Sequence, residues 1–141
     1  MTAENFASRT PTEILLVEES AMIGSIILST ARQLKLRPLK WVTNHQSARL
    51  FLENQLYCGL ITSLDDNRYA LGIIHHLRQG QLRCLVDMPV SVTTGQCDAQ
   101  LASEIKSLNV QRILLKPFKI RDLISTIQTL AAAHTDDATL G

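Results

Sequence analysis

The chain predicts a doubly wound α/β domain with a five-stranded parallel sheet and five helices, and three observations carry that expectation. Five apolar runs of strand length, Ile14 to Val17, Leu39 to Thr43, Gly59 to Thr62, Pro89 to Thr93 and Arg112 to Leu115, are spread evenly along the sequence. Between them lie segments whose apolar residues recur every three or four positions, the helical period. The connections are short, and strand-helix-strand alternation with short connections implies right-handed crossovers and a sheet covered by helices on both faces.

Taken in order, residues 1–12 are a polar leader with Pro11 ahead of the first strand, and are expected to be flexible. Ser20 is placed to cap a first helix with Ile23, Ile26, Ile27, Thr30, Ala31 and Leu34 inward, ending near Lys35 to Arg37. Pro38 enforces a break before the second strand, which carries Trp41. Asn44 opens a second helix with Ala48, Leu50, Phe51 and Leu52, and the third strand follows. After a polar loop, Leu64 to Arg68, a third helix turns Ala70, Ile73, Ile74 and Leu77 inward and stops at Gln79-Gly80. The fourth helix runs Asp98 to Leu108 with Leu101, Ile105 and Leu108 inward. The fifth runs Ile120 to Ala133 on a stripe of Ile120, Leu123, Ile124, Ile127 and Leu130. The domain is therefore drawn at 13–133, with 134–141 a polar tail or the start of a linker.

A chain of 141 residues suits one domain able to bury a core unaided. Its 45% hydrophobic and 19% charged residues, with formal net charge +1, exert no bulk pull toward nucleic acid or anionic membrane. There is no membrane-span or secretion pattern, so the cytoplasm is the expected location. Three cysteines, Cys58, Cys84 and Cys97, are odd in number and lack CxxC spacing, which argues against a disulfide framework or a zinc site. The adjacent His75 and His76 point about 100° apart on a helix and cannot chelate one metal from one face.

In parallel sheets of this kind chemistry sits beyond the carboxyl ends of the strands. Here those ends carry an acid pair, Glu18 and Glu19, after ILLV; Ser63 after YCGLIT; Thr93 and Thr94 after MPVSV; and Lys116 followed by Pro117 after RILL. Acid pair, hydroxyl and lysine in that order, with ILLVEES and LLKPFKIRDL as the strongest stretches, resemble the receiver domain of two-component response regulators. The resemblance spans Glu13 to Leu130. It implies a chemotaxis-type, flavodoxin-like sheet of strand order 2-1-3-4-5. It also implies that Glu18 and Glu19 match the acid pair that holds Mg²⁺, Thr94 the hydroxyl and Lys116 the lysine, with the Lys-Pro peptide usually cis.

Departures from that family pattern decide the expected function. Ser63 stands where the family carries its phospho-accepting aspartate, and a serine cannot form the labile acyl phosphate on which the family's switch depends. Mg²⁺ loses an anionic ligand, leaving Glu19 and Asp65 as weak candidates, so no metal and no cofactor is expected. The loop LDDNRYA is shorter than the family's, and Ile113 replaces the aromatic that moves on strand five.

The expectation is a degenerate pseudo-receiver, not an enzyme, that signals by binding a protein without phosphorylation. Glu18, Glu19, Ser63, Thr94 and Lys116 would form a vestigial pocket in which Lys116 pairs with Glu19. The partner would be a protein, an attached output domain or a second copy of the chain, docked on a face that includes Ser103, Lys106, Arg121 and Gln128. The alternative is a working phosphoacceptor using Asp65 with Mg²⁺; we prefer to read Asp65 and Asp66 as a helix start or solvated acids. A nucleotide-binding enzyme on the same topology lacks support, because the turn EESAMIG has no glycine-rich phosphate loop.

Overall fold

A computed structural model describes residues 11–64 and 67–140. Along the chain run β1 (Ile14–Val17), α1 (Ala21–Gln33), β2 (Leu39–Val42), α2 (His45–Asn54), β3 (Gly59–Ser63), α3 (Asn67–Arg78), β4 (Val90–Thr94), α4 (Ala99–Ser107), β5 (Arg112–Leu115) and α5 (Ile120–Leu140). All strand pairs are parallel and the sheet order is β2-β1-β3-β4-β5. The expected topology and strand order are thus those observed.

Side-chain alternation on β1 divides the core into two layers. Leu15 and Val17 point to one face, where they join Ala48 and Leu52 of α2, Ile73, Ile74 and Leu77 of α3, and Ile105 of α4. Ile14 and Leu16 point to the other, against Ile27 and Ala31 of α1 and Leu123, Ile127 and Leu130 of α5. A strand covered on both sides must be apolar at every position, which is why ILLV reads as an unbroken run.

Helix starts are fixed by the capping residues in the sequence. Ser20 Oγ accepts from the Ile23 amide at 3.2 Å, Asn44 Oδ1 from Ser47 at 2.7 Å and Asp98 Oδ1 from Leu101 at 2.8 Å. At the end of α3, Gly80 takes φ 77°, the left-handed conformation that glycine adopts without Cβ strain, and Gln81 N–H closes back on the His76 carbonyl at 3.0 Å. The segment from Gln79 to Pro89 is then held by Arg78, whose guanidinium donates to the carbonyls of Val86, Met88, Leu108 and Asn109.

Several apolar side chains do not lie where periodicity put them. Ile26, Leu34, Leu50 and Ile120 are exposed, because each apolar stripe is wider than the strip of sheet its helix covers. Leu64, placed in a polar loop by the sequence, is buried at 1% exposure. Its amide donates to the Thr93 carbonyl at 2.8 Å, extending the β3-β4 pairing by one residue. Helix α5 continues past Ala133 to Leu140.

Candidate functional site

The parallel registers place Val17 opposite Thr62, Ser63 opposite Thr93 and Thr94 opposite Leu115. Glu18, Ser63, Thr94 and Lys116 therefore lie along one rim, at the carboxyl ends of the adjacent strands β1, β3, β4 and β5. Because each strand ends where its neighbour does, four residues widely separated in sequence converge without any long loop.

Glu18 is 1% exposed and held at four atoms. Its amide donates to the Val42 carbonyl at 3.1 Å, and its own carbonyl accepts from the Trp41 indole at 3.0 Å. Its Oε2 accepts the Ser20 amide at 2.9 Å, and its Oε1 meets Lys116 Nζ at 3.1 Å. Oε1 has no aligned hydrogen bond, so the ammonium charge is what compensates its burial. Lys116 is anchored by its amide, which donates to the Thr94 carbonyl at 2.9 Å, and is followed by a cis peptide to Pro117. The expected pairing of Lys116 with Glu19 is corrected here. Glu18 is the inward member of the acid pair and faces β5, whereas Glu19 points out toward α2.

Glu19 instead faces His45, whose Nδ1 lies 3.5 Å from Oε2. His45 is itself buried, and its Nε2 contacts the Ser63 carbonyl at 2.8 Å and Thr62 Oγ1 at 3.2 Å. Sequence reasoning missed His45. The signal that finds it is positional: β2 pairs with β1 so that Val42 opposes Val17, which sets the residue opening α2 beside the residue following Glu18.

Ser63 is fully buried. Thr94 is buried too, but its hydroxyl donates to the Gln96 carbonyl at 2.8 Å and so is engaged in its own turn. Ile113 is half-buried and packs against the layer shared by α2, α3 and α4. Asp65 and Asp66 lie outside the described residues. Ser103, Lys106, Arg121 and Gln128 are all solvent-exposed. A second exposed feature went unread in the sequence: an apolar groove of about 240 Å³ beside Lys116, walled by Ile23, Ile26 and Ile27 of α1 and by Phe118 and Ile120. Among the described residues no trio of His, Cys, Asp or Glu is grouped to hold a metal ion, and no helix is long and apolar enough to cross a membrane.

Comparison with solved structures agrees with this architecture. A response regulator receiver protein from Pseudomonas putida superimposes with TM-score 0.73 at 20% identity, covering 85% of this chain and 98% of that one. The signal receiver domain of an HD domain-containing protein from Pseudomonas fluorescens gives TM-score 0.76 at 17% identity, over 89% and 98% of the two chains. A response regulator from Thermotoga maritima gives 0.72 at 19% identity, over 86% and 98%. At these identities the likeness is one of fold. No protein-family model matches the sequence, and no curated protein does.

Proposed function

We propose that this domain is a receiver-like signalling module that works by constitutive protein-protein contact in the cytoplasm and accepts no phosphoryl group. The observation that carries the reading is the Glu18–Lys116 pair at 3.1 Å, closed over a rim on which Ser63 ends the middle strand. In phosphoryl transfer a lysine contributes by stabilising charge that develops on the phosphoryl oxygens. Here its charge is already matched by a buried carboxylate, and the middle strand ends on a hydroxyl that forms no acyl phosphate. Ile113 on β5 supports the same reading, since at the position where the receiver resemblance implies a moving aromatic it is a half-buried aliphatic side chain packed against the core.

The pocket in this view is structural, needs no cofactor and performs no catalysis. Acetyl phosphate with Mg²⁺ should leave the intact mass unchanged, and beryllofluoride with Mg²⁺ should leave the amide spectrum unchanged. A mass gain of one phosphoryl group mapping to Asp65 would replace this reading with that of a working switch.

A further inference from the structure

Three phenylalanines occur in the chain, and two of them, Phe51 and Phe118, pack against the core. The third, Phe6, stands in the polar stretch MTAENFASRT that precedes the described residues. An aromatic ring gains by leaving water, and a polar stretch has no core of its own in which to place it.

The point where the chain enters the fold supplies such a place. The Cys58 amide donates to the Glu13 carbonyl at 2.9 Å, so the backbone ahead of β1 still runs beside the approach to β3. Two residues further back, Pro11 forms one wall of an apolar groove of about 180 Å³ at the amino-terminal edge of the sheet, the end opposite the Glu18–Lys116 rim. Leu56, Tyr57, Leu85, Met88 and Pro89 are among its other walls. Leu85 is 70% exposed and Leu56 41%, an apolar pair left facing water. The segment that bears Leu85 is fixed from behind: Arg78 donates to the carbonyls of Val86 and Met88, and the Met88 amide donates to the Leu85 carbonyl at 3.0 Å. The groove is therefore formed before anything enters it.

We propose that the leader closes on this groove, with the Phe6 ring seated against Leu56, Leu85 and Met88. Size and reach favour this occupant. An apolar cavity of about 150 Å³ takes a benzene ring, and the groove offers about 180 Å³. The five residues from Phe6 to Pro11 span up to roughly 17 Å when extended, and the groove begins at Pro11 itself, so the chain can turn back into it without strain. A tether this short also presents the ring at an effective concentration in the millimolar range, which a free partner of equal chemistry lacks. The leader then acts as a strap that ties the chain ahead of β1 to the segment ahead of β4, at the end of the sheet away from the rim.

The test compares the full chain with Phe6→Ala, Phe6→Leu and Leu85→Glu. In the wild type the Leu85 and Met88 methyl resonances should show ring-current shifts and nuclear Overhauser contacts to the Phe6 ring, all lost in Phe6→Ala. Phe6→Ala and Leu85→Glu should each lower the melting midpoint by about 3 °C or more, and Phe6→Leu by less. The two together should do no more than either alone, because they break one contact. Methyl resonances unchanged and a melting midpoint within about 1 °C of wild type in Phe6→Ala overturn the proposal. So does a dimer, seen by light scattering, that Leu85→Glu dissolves and Phe6→Ala does not, which gives the groove to a second copy. Should Leu85→Glu fail to fold, the wild-type contacts between the Phe6 ring and the two methyls decide alone, and their absence overturns the proposal.

Discussion

The Glu18 carboxylate and the Lys116 ammonium form an ion pair at 3.1 Å, with the acid 1% and the lysine 15% exposed. Removing one partner of so buried a pair strands the other charge, which is far more destabilising than loss of a surface salt bridge. Lys116→Met should therefore lower stability by about 3 kcal/mol in a urea melt. Adding Glu18→Gln should recover more than half of that loss, since the stranded charge is then gone. A double variant no more stable than Lys116→Met would show that the lysine acts through something other than Glu18.

The fold was legible because each of its determinants is local. ILLV is apolar at every position because β1 is covered on both faces, and Ser20, Asn44 and Asp98 mark helix starts by a side-chain acceptor three residues before a free amide. The site was legible only as far as strand ends go. Which of two adjacent glutamates turns inward depends on the direction in which the chain leaves β1, and that is set by the Trp41 indole and the Ser20 amide, neither of which sequence spacing reveals. His45 was missed for a related reason: it becomes a rim residue only through the β1-β2 register. The exposure of Ile26 and Ile120 was missed because periodicity shows which face of a helix is apolar and not how much of that face the sheet covers.

Gly24 provides a steric test of how closely α1 sits on β2. A Cβ built there would fall 2.2 Å from two carbons of the Trp41 ring, and that ring is tethered through its N–H to the Glu18 carbonyl. Helix propensity alone favours alanine over glycine by up to about 1 kcal/mol, but a clash with a tethered ring reverses the sign. Gly24→Ala should destabilise by about 1–3 kcal/mol, with a shifted indole N–H resonance. A stabilised variant would mean that Trp41 moves aside freely.

Arg78 gathers four backbone carbonyls, those of Val86 and Met88 ahead of β4 and those of Leu108 and Asn109 after α4. Burial pushes its guanidinium pKa down, with nearby Asp87 opposing. Lysine cannot reproduce the planar fork. Arg78→Lys should cost about 1–3 kcal/mol and raise amide exchange selectively in residues 81–89. Uniform exchange throughout the sheet would argue against a local staple.

Tyr57 and the two core cysteines set an alkaline limit. Burial, followed by Glu13 and Cys84, pushes the Tyr57 phenol up to about 12, and burial likewise raises the Cys58 and Cys84 thiols. Each of these groups is neutral when protonated and binds its proton more tightly folded than unfolded. Their contribution is fully present below the unfolded-state values and is lost as pH rises through the folded ones. Stability should therefore hold near neutrality and fall steadily from about pH 9 to 12. Tyr57→Phe should flatten the upper part of that fall, and an unchanged profile would place the sensitivity in the thiols.

The docking face can be tested without touching the rim. Ser103 and Lys106 on α4 and Arg121 and Gln128 on α5 are exposed, as are the uncharged Gln100, Ser107 and Thr129, with Glu104 and Asp122 the acids beside them. Interfaces are depleted of charge at their centres, because burying a charge without a partner is unfavourable. The apolar groove between α1 and Phe118 offers a competing surface on the far side of α5. Glutamates at both Ser103 and Gln128 should abolish complex formation, or self-association if the partner is a second copy, while leaving the melting midpoint within about 2 °C, since exposed substitutions rarely exceed ±0.5 kcal/mol. If assembly by light scattering and pull-down survives both glutamates but is lost on Ile26→Glu, the contact belongs to the groove.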